Sequence, residues 1–199
     1  MHPNPAFREA DSERLEAIIS EVGFGMVFLT TPDGPRVAHV PVLSDGNGDI
    51  RFHLARSNAL TLYLEGARAL ITMNGPDGYV SPRWYDNRDT VPTWDYAAIE
   101  MEGAVRTLSD DELERLLHDV IETFEARLDG EPWLASEASE KVWSGLFRGI
   151  TGFSMHVEEW RPILKLSQKK SAHERARIAA GVEAAGKPDL ARWMREVAP

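Results

Sequence analysis

The sequence predicts an α+β protein built on an antiparallel sheet closed as a barrel, and three observations lead there. Five to seven strand-like runs are joined mostly by short turns. The helical patterns interrupt the strands in few places and gather toward the ends of the chain. A composition of 43% hydrophobic and 27% charged residues over 199 positions suffices for one real core. Closing the sheet is the natural way for so many strands to avoid exposed edges.

Asp11 precedes a helical pattern with Leu15, Ile18, Ile19 and Val22 on one face, and Gly23 is placed to stop it. FGMVFLT and RVAHVPVL follow, split by TPDGP, and read as a hairpin. SDGNGD makes a second turn before the strand IRFHL. RALITMNG and DGYVSPRWY are two further strands, and VPTWDYAAIEMEGAVRTL is a long one. Ser109 and Glu112 have capping-box spacing at the head of SDDELERLLHDVIETFEARLDG, where Leu113, Leu116, Leu117, Val120, Ile121, Phe124 and Leu128 keep helical period. ASEKVWSGLFRG is a second helix of this region. ITGFSMHVEEW and PILKLSQ form a last strand or pair of strands. From about 171 to 199 the chain is a helical tail of two short patterns divided by GKPD. No repeat or long linker divides the chain, so a single domain over 1–199 is expected.

Composition excludes more than it assigns. The absence of cysteine removes disulfides, thiolate metal sites, iron–sulfur clusters and cysteine nucleophiles. The six histidines, His2, His39, His53, His118, His156 and His173, show no ligand-like pair, so no metal site is expected. No dinucleotide glycine fingerprint, P-loop, nucleophile elbow or zincin helix is present. A net charge of −10 and the lack of a helix-turn-helix argue against direct nucleic-acid binding. The locally basic KLSQKKSAHERAR, from Lys165 to Arg177, is open to two readings, an anion contact or, better favoured by base rates, a solvated helix face. With no membrane-length apolar run, and an opening MHPNPAFREAD unlike a secretory signal, the expected location is the cytoplasm.

Two segments carry chemistry. FHLARSN places His53, Arg56, Ser57 and Asn58 together as a strand ends, where their donors and the N–H groups of a following helical turn can converge on an anion. Equally, Ser57 or Asn58 can simply cap that turn. DGYVSPRWYDNRDTVPTWDYAAI holds three of the four tyrosines and two of the six tryptophans among Arg, Ser and Asp, not among aliphatic residues. Such a band suits a flat ligand with polar edges, and it equally suits the mouth of a barrel or a dimer seam. Together, a phosphate grip and a ring-lined groove describe a receptor for a flat phosphorylated cofactor such as flavin mononucleotide, FMN. No residue is committed by spacing to acid–base catalysis.

HLARSN, GYVSPRWY, VPTWDY with EGAV, and ITGF with KLSQKK and ERARIAAGVEA occur here in one order. In that order, and in its opening residues, the chain resembles the PaiB-like FMN-binding negative transcriptional regulators over nearly its whole length. The resemblance implies a split β-barrel like that of the pyridoxamine phosphate oxidase-like flavoproteins, a homodimer, and FMN at the subunit interface. It implies His53, Arg56, Ser57 and Asn58 beside the flavin phosphate. Tyr79, Ser81, Trp84, Thr93, Trp94 and Tyr96 would border the flavin ring or the dimer seam. Lys165, Ser167 and Gln168 would return the chain toward the cofactor pocket of the same or the partner subunit, the other reading being a strand end fixed by ordinary hydrogen bonds. His2, Asp95 and Lys169 depart from the family's usual Tyr, Asn and Asn, and WRP at 160–162 replaces a Gly-containing turn. If Asp95 faces the ring its charge disfavours a reduced anionic flavin, with Lys169 as a compensating cation. An FMN-dependent oxidoreductase, a flavin-bound regulator acting through a partner, and a haem-binding split barrel are the functional alternatives.

Overall fold

A computed structural model describes residues 4–9 and 11–196. It contains seven strands, β1 (Phe24–Thr31), β2 (Gly34–Pro41), β3 (Leu43–Ser44), β4 (Asp49–Ala55), β5 (Arg68–Val80), β6 (Thr93–Thr107) and β7 (Ile150–Lys165). Five helices accompany them, α1 (Ser12–Val22), α2 (Asp110–Glu125), α3 (Glu140–Phe147), α4 (Ala172–Ala184) and α5 (Pro188–Glu196). The strands form one antiparallel sheet in the order β2-β1-β5-β6-β7-β4-β3. The class is α+β, as the alternation of runs and turns predicts. The ladder stays open, and both ends are protected: β2 carries Pro35 and Pro41, and β3 is only two residues long.

The chain separates into two compact units. The larger holds Glu16–Met73 and Glu100–Trp160; the smaller holds Asn74–Ile99, the N-terminal stretch to Leu15 and the C-terminal stretch from Arg161. β5, β6 and β7 each contribute residues to both.

In the larger unit the β1–β2 hairpin turns at Pro32-Asp33 with Thr31 opposite Gly34, whose φ of 98° needs glycine. β4 alternates cleanly. Ile50, Phe52 and Leu54 are buried, Phe52 stacking on Phe153 of β7 with ring centroids 5.6 Å apart. The opposite face of the strand is therefore left to Asp49, Arg51 and His53. Both halves of the expected capping box start α2: Ser109 Oγ accepts from Glu112 N at 3.3 Å, and Glu112 accepts from Ser109 N at 2.8 Å. Leu116 of that helix joins Leu43 and Leu108 in one cluster, flanked by Val120 and Phe124. The helix stops at Glu125, short of the expected length, and Leu128 beyond it is exposed.

The smaller unit corrects two expectations. β5 is one strand and not two, because Asn74–Gly78 is no turn. A Cβ on Gly75 would lie 3.1 Å from the Ala97 methyl and 3.2 Å from the Trp193 ring, and one on Gly78 would lie 2.9 Å from Leu190. Those glycines admit close neighbours along an extended strand. The strand ends at Val80, and SPRWY becomes a single 3-10 turn, Pro82–Trp84, capped by Ser81. The tail forms α4 and α5, with Ile178, Ala179, Val182, Leu190, Trp193 and Met194 buried. The stretch from Lys165 to Arg177 is solvated only in part: Lys169, Ser171, Ala172, His173 and Ala176 are exposed, while Glu174 and Arg175 are buried and Arg175 Nη1 has no hydrogen-bond partner among the described residues.

Candidate functional site

At the end of β4, in the larger unit, His53 is half-buried and its Nδ1 is sealed from solvent without a hydrogen-bond partner. Burial lowers its pKa, so the ring is neutral at physiological pH. Arg56 is exposed. Its backbone N–H donates to Gly149 O at 2.9 Å and its Nε to Arg148 O at 2.7 Å. That pair of bonds fixes the guanidinium while its two terminal nitrogens bond to no described residue. Ser57 is exposed beside it. Asn58 does what a cap does: Oδ1 accepts from Leu60 N at 2.9 Å, and its own N–H donates to Ala55 O. No helix follows, only successive turns through residue 63. A helix N-terminus therefore contributes nothing to anion binding here.

This donor set fits a phosphate. An anchored guanidinium offers a planar fork and Ser57 a hydroxyl, while the unpartnered Nδ1 of His53 is sealed away from a ligand. Every uncommitted group seeks an oxygen or a proton.

In the smaller unit Tyr79 and Trp94 stand on adjacent strands, each 51% exposed, in an edge-to-face pair with centroids 6.4 Å apart. Trp94 Nε1 donates to Asp77 Oδ1 at 2.9 Å, which fixes the indole. Below this pair lies a polar knot. Lys165 Nζ donates to the Thr93 hydroxyl and, at 2.6 Å, to the Trp94 carbonyl. It also stands 3.8 Å from Asp95 Oδ1. Ser167 Oγ donates to Asp95 Oδ2 at 2.5 Å, and Ser167 adopts φ 57°, a conformation uncommon outside glycine. Gln168 completes the strand end, Oε1 accepting from Leu166 N at 2.8 Å and Nε2 donating to the carbonyls of Leu164 and Ala6.

Asp95 is 1% exposed and faces inward, not toward a ligand on the surface. Desolvation raises its pKa, opposed by the Ser167 hydroxyl and by Lys165. The expected compensating cation, Lys169, instead lies over the Phe7 ring at 5.3 Å; Lys165 has that role. The family departure at His2 lies outside the described residues.

Trp84 and Trp94 belong to the same aromatic segment, and their surroundings differ. The Trp84 indole lies flat on Gly181 of α4, where a Cβ would fall 2.3 Å from its ring, and Arg177 holds its carbonyl at 3.0 Å. Arg177 also pairs with Asp86 at 2.7 Å, and Glu174 accepts from Asp86 N at 3.0 Å. Trp84 thus docks α4 on the 82–86 turn. Ser81 caps that turn, and Tyr96 is half-buried. The glycine that Trp84 needs lies about a hundred positions away, so no local pattern announces it.

Residues 1–159 match the family described as "Putative FMN-binding domain". A curated Bacillus subtilis (strain 168) protein named "Protease synthase and sporulation protein PAI 2" is 32% identical over 169 residues, 83% of this chain and 81% of that protein. Among solved structures, an FAD- and haem-binding protein from Mycobacterium smegmatis superposes with a TM-score of 0.62 at 17% identity, covering 87% of this chain and 80% of that one. The flavocytochrome Anf3 from Azotobacter vinelandii gives 0.59 at 16% identity, covering 82% and 72%. These likenesses carry the fold, while the matched family carries the cofactor. No helix among the described residues is long and apolar enough to cross a membrane. The FHLARSN and aromatic segments lie inside the matched residues, and KLSQ lies just beyond them. The chain belongs to the FMN-binding domain family, as a PaiB-like flavoprotein of split-barrel fold whose cofactor is FMN.

Proposed function

We propose that this flavoprotein is an FMN-dependent oxidoreductase acting on a small molecule, working in the cytoplasm as a homodimer with its cofactor at the subunit interface. The observation that carries this reading is the pairing of uncommitted chemistry with family membership. Arg56 is anchored yet keeps its terminal nitrogens free, and Tyr79 and Trp94 present fixed, exposed rings.

FMN supplies the capacity to accept and return electrons. Arg56 and Ser57 hold the phosphate, with the neutral His53 beside them at the end of β4. Tyr79, Trp94 and Thr93 line the isoalloxazine or the substrate stacked on it, and the exposed Arg83 and Arg88 stand ready for an acidic substituent. Lys165, Ser167 and Gln168 act indirectly, by fixing the backbone that carries Trp94.

Arg56→Ala is expected to weaken FMN binding roughly 10- to 150-fold, the worth of a charged hydrogen bond, in a fluorescence titration. Unchanged affinity would place the phosphate elsewhere. Reaction type is tested by adding NADH or NADPH to the purified yellow protein without air. Bleaching, then recovery of colour with an oxidised substrate, is expected of an oxidoreductase. A yellow protein that never bleaches favours the second reading, a flavin-bound regulator acting through a partner and not through direct DNA contact, a role compatible with its charge of −10. A Soret band would instead identify a haem protein.

A further inference from the structure

We propose that the larger unit carries a second ligand site, a cavity of about 310 Å³ beside β3, β4 and α2 that binds a small oxyanion, a carboxylate or a phosphate monoester. Its volume is at the lower end of ordinary ligand pockets. The class of ligand follows from which lining groups already have partners.

Three carboxylates and three guanidinium groups line the cavity, so its formal charge is balanced. Their hydrogen bonds are not balanced. Asp45 accepts from the N–H groups of Asn47 at 2.8 Å and Asp49 at 3.0 Å. Asp49 accepts from the Ser154 hydroxyl at 3.0 Å and meets His156 Nδ1 at 2.8 Å. Glu112 takes both terminal nitrogens of Arg106, at 2.8 and 3.1 Å, and the N–H of Ser109. Each acid is therefore committed to donors of the protein itself.

The arginines are not. Arg106 is spent on Glu112. Arg51 gives Nη1 to Asp119 at 2.8 Å, and its Nη2 bonds to no described residue. The exposed side chain of Arg115, one helical turn from Asp119 on α2, makes no hydrogen bond or ion pair with any described residue. What remains unfilled around the cavity is thus donor capacity from two guanidinium groups, Nη2 of Arg51 and the fork of Arg115. A ligand that completes this site must bring acceptors, and planar guanidinium forks favour carboxylate or phosphate oxygens. The site is independent of the FMN phosphate grip, since none of His53, Arg56 or Ser57 lines it.

The test uses FMN-saturated protein titrated calorimetrically with inorganic phosphate and, separately, with malonate, while the arginine Nε–H signals are followed by NMR. At least one anion is expected to bind saturably and to shift the Arg51 and Arg115 signals, and the tighter of the two assigns the ligand class. Arg115→Gln, an exposed position, is expected to weaken binding at least tenfold without changing FMN affinity, and Arg56→Ala is expected to leave anion binding intact. Absence of saturable binding by either anion overturns the proposal. So does binding that survives Arg115→Gln, or binding lost in Arg56→Ala, which would put the anion at the flavin phosphate position.

Discussion

Replacing Lys165 by methionine is expected to destabilise the protein by about 3–5 kcal/mol at neutral pH, the usual result of removing one partner of a buried ion pair. Asp95 is 1% exposed and Lys165 15%, so neither charge is well served by water. Methionine keeps the stem and its packing and removes only the ammonium group, which isolates the electrostatic part. Among the described residues the Ser167 hydroxyl would then be the side-chain donor left to the carboxylate, and the Thr93 hydroxyl and Trp94 carbonyl would lose the Lys165 ammonium. The effect has a definite pH dependence. In the native protein Asp95 already titrates above its ordinary value of 3.8, chiefly through desolvation. Between 3.8 and that raised value the folded state binds more protons than the unfolded one, so stability contributed by this group falls as pH rises through the window. Without Lys165 the native pKa rises further. The deficit of the variant should therefore be largest at neutral pH and shrink as acid protonates Asp95. Asp95→Asn, which restores the family's usual residue, should cost less, because Lys165 keeps two acceptors and partial access to water. Urea denaturation of both variants at neutral and mildly acidic pH measures this. A Lys165→Met deficit below 1 kcal/mol, or one equal at both pH values, would show that the pair does not hold the strand end together.

The same knot shows where sequence legibility stops. Features built from neighbouring residues are readable: the capping box of Ser109 and Glu112, the turn at Pro32-Asp33, and the strand IRFHL that ends at His53 and its neighbours. Asp95 was visible as a departure, but its environment comes from Lys165 and Ser167, some seventy residues on, so its inward direction could not be read. Trp84 and Trp94 look alike in the sequence and part company because Gly181 receives one ring and Asp77 fixes the other in solvent. Gly75 and Gly78 imitate a turn for a related reason. A glycine that permits a close approach and one that permits a positive φ carry the same letter. For the site, the donor types around Arg56 were legible from spacing, and the missing helix after them was not, since only tertiary contacts decide whether a turn is extended into a helix.

Gly103→Ala is expected to be the most disruptive single-methyl change in the larger unit, with loss of more than about 3 kcal/mol, beyond the ordinary range for overpacking a core. Gly103 belongs to the EGAV run of β6. A Cβ there would lie 1.8 Å from the carbonyl oxygen of His156 on β7 and 2.8 Å from its carbonyl carbon. Those are backbone atoms in a paired strand, so no rotamer change relieves the clash, and the two strands must separate locally. φ is not the obstacle, because Gly103 is absent from the positive-φ glycines; the obstacle is space. Separation would carry His156 away from Asp49 and pull at the β4–β7 ladder, in which Asp49 faces His156 and His53 faces Gly152. The disturbance therefore runs along β4 toward His53 and Arg56, beside the proposed position of the cofactor phosphate. Thermal unfolding should show a marked drop in midpoint, and amide exchange should quicken along β4 and β7 before it does in β1 and β2. Gly25→Ala provides the contrast, because its nearest backbone atom, the Thr72 oxygen, would be 3.0 Å away, and a few tenths of an ångström would suffice. If Gly103→Ala behaves no worse than Gly25→Ala, the close approach of β6 to its neighbour β7 is not a constraint that the sheet enforces.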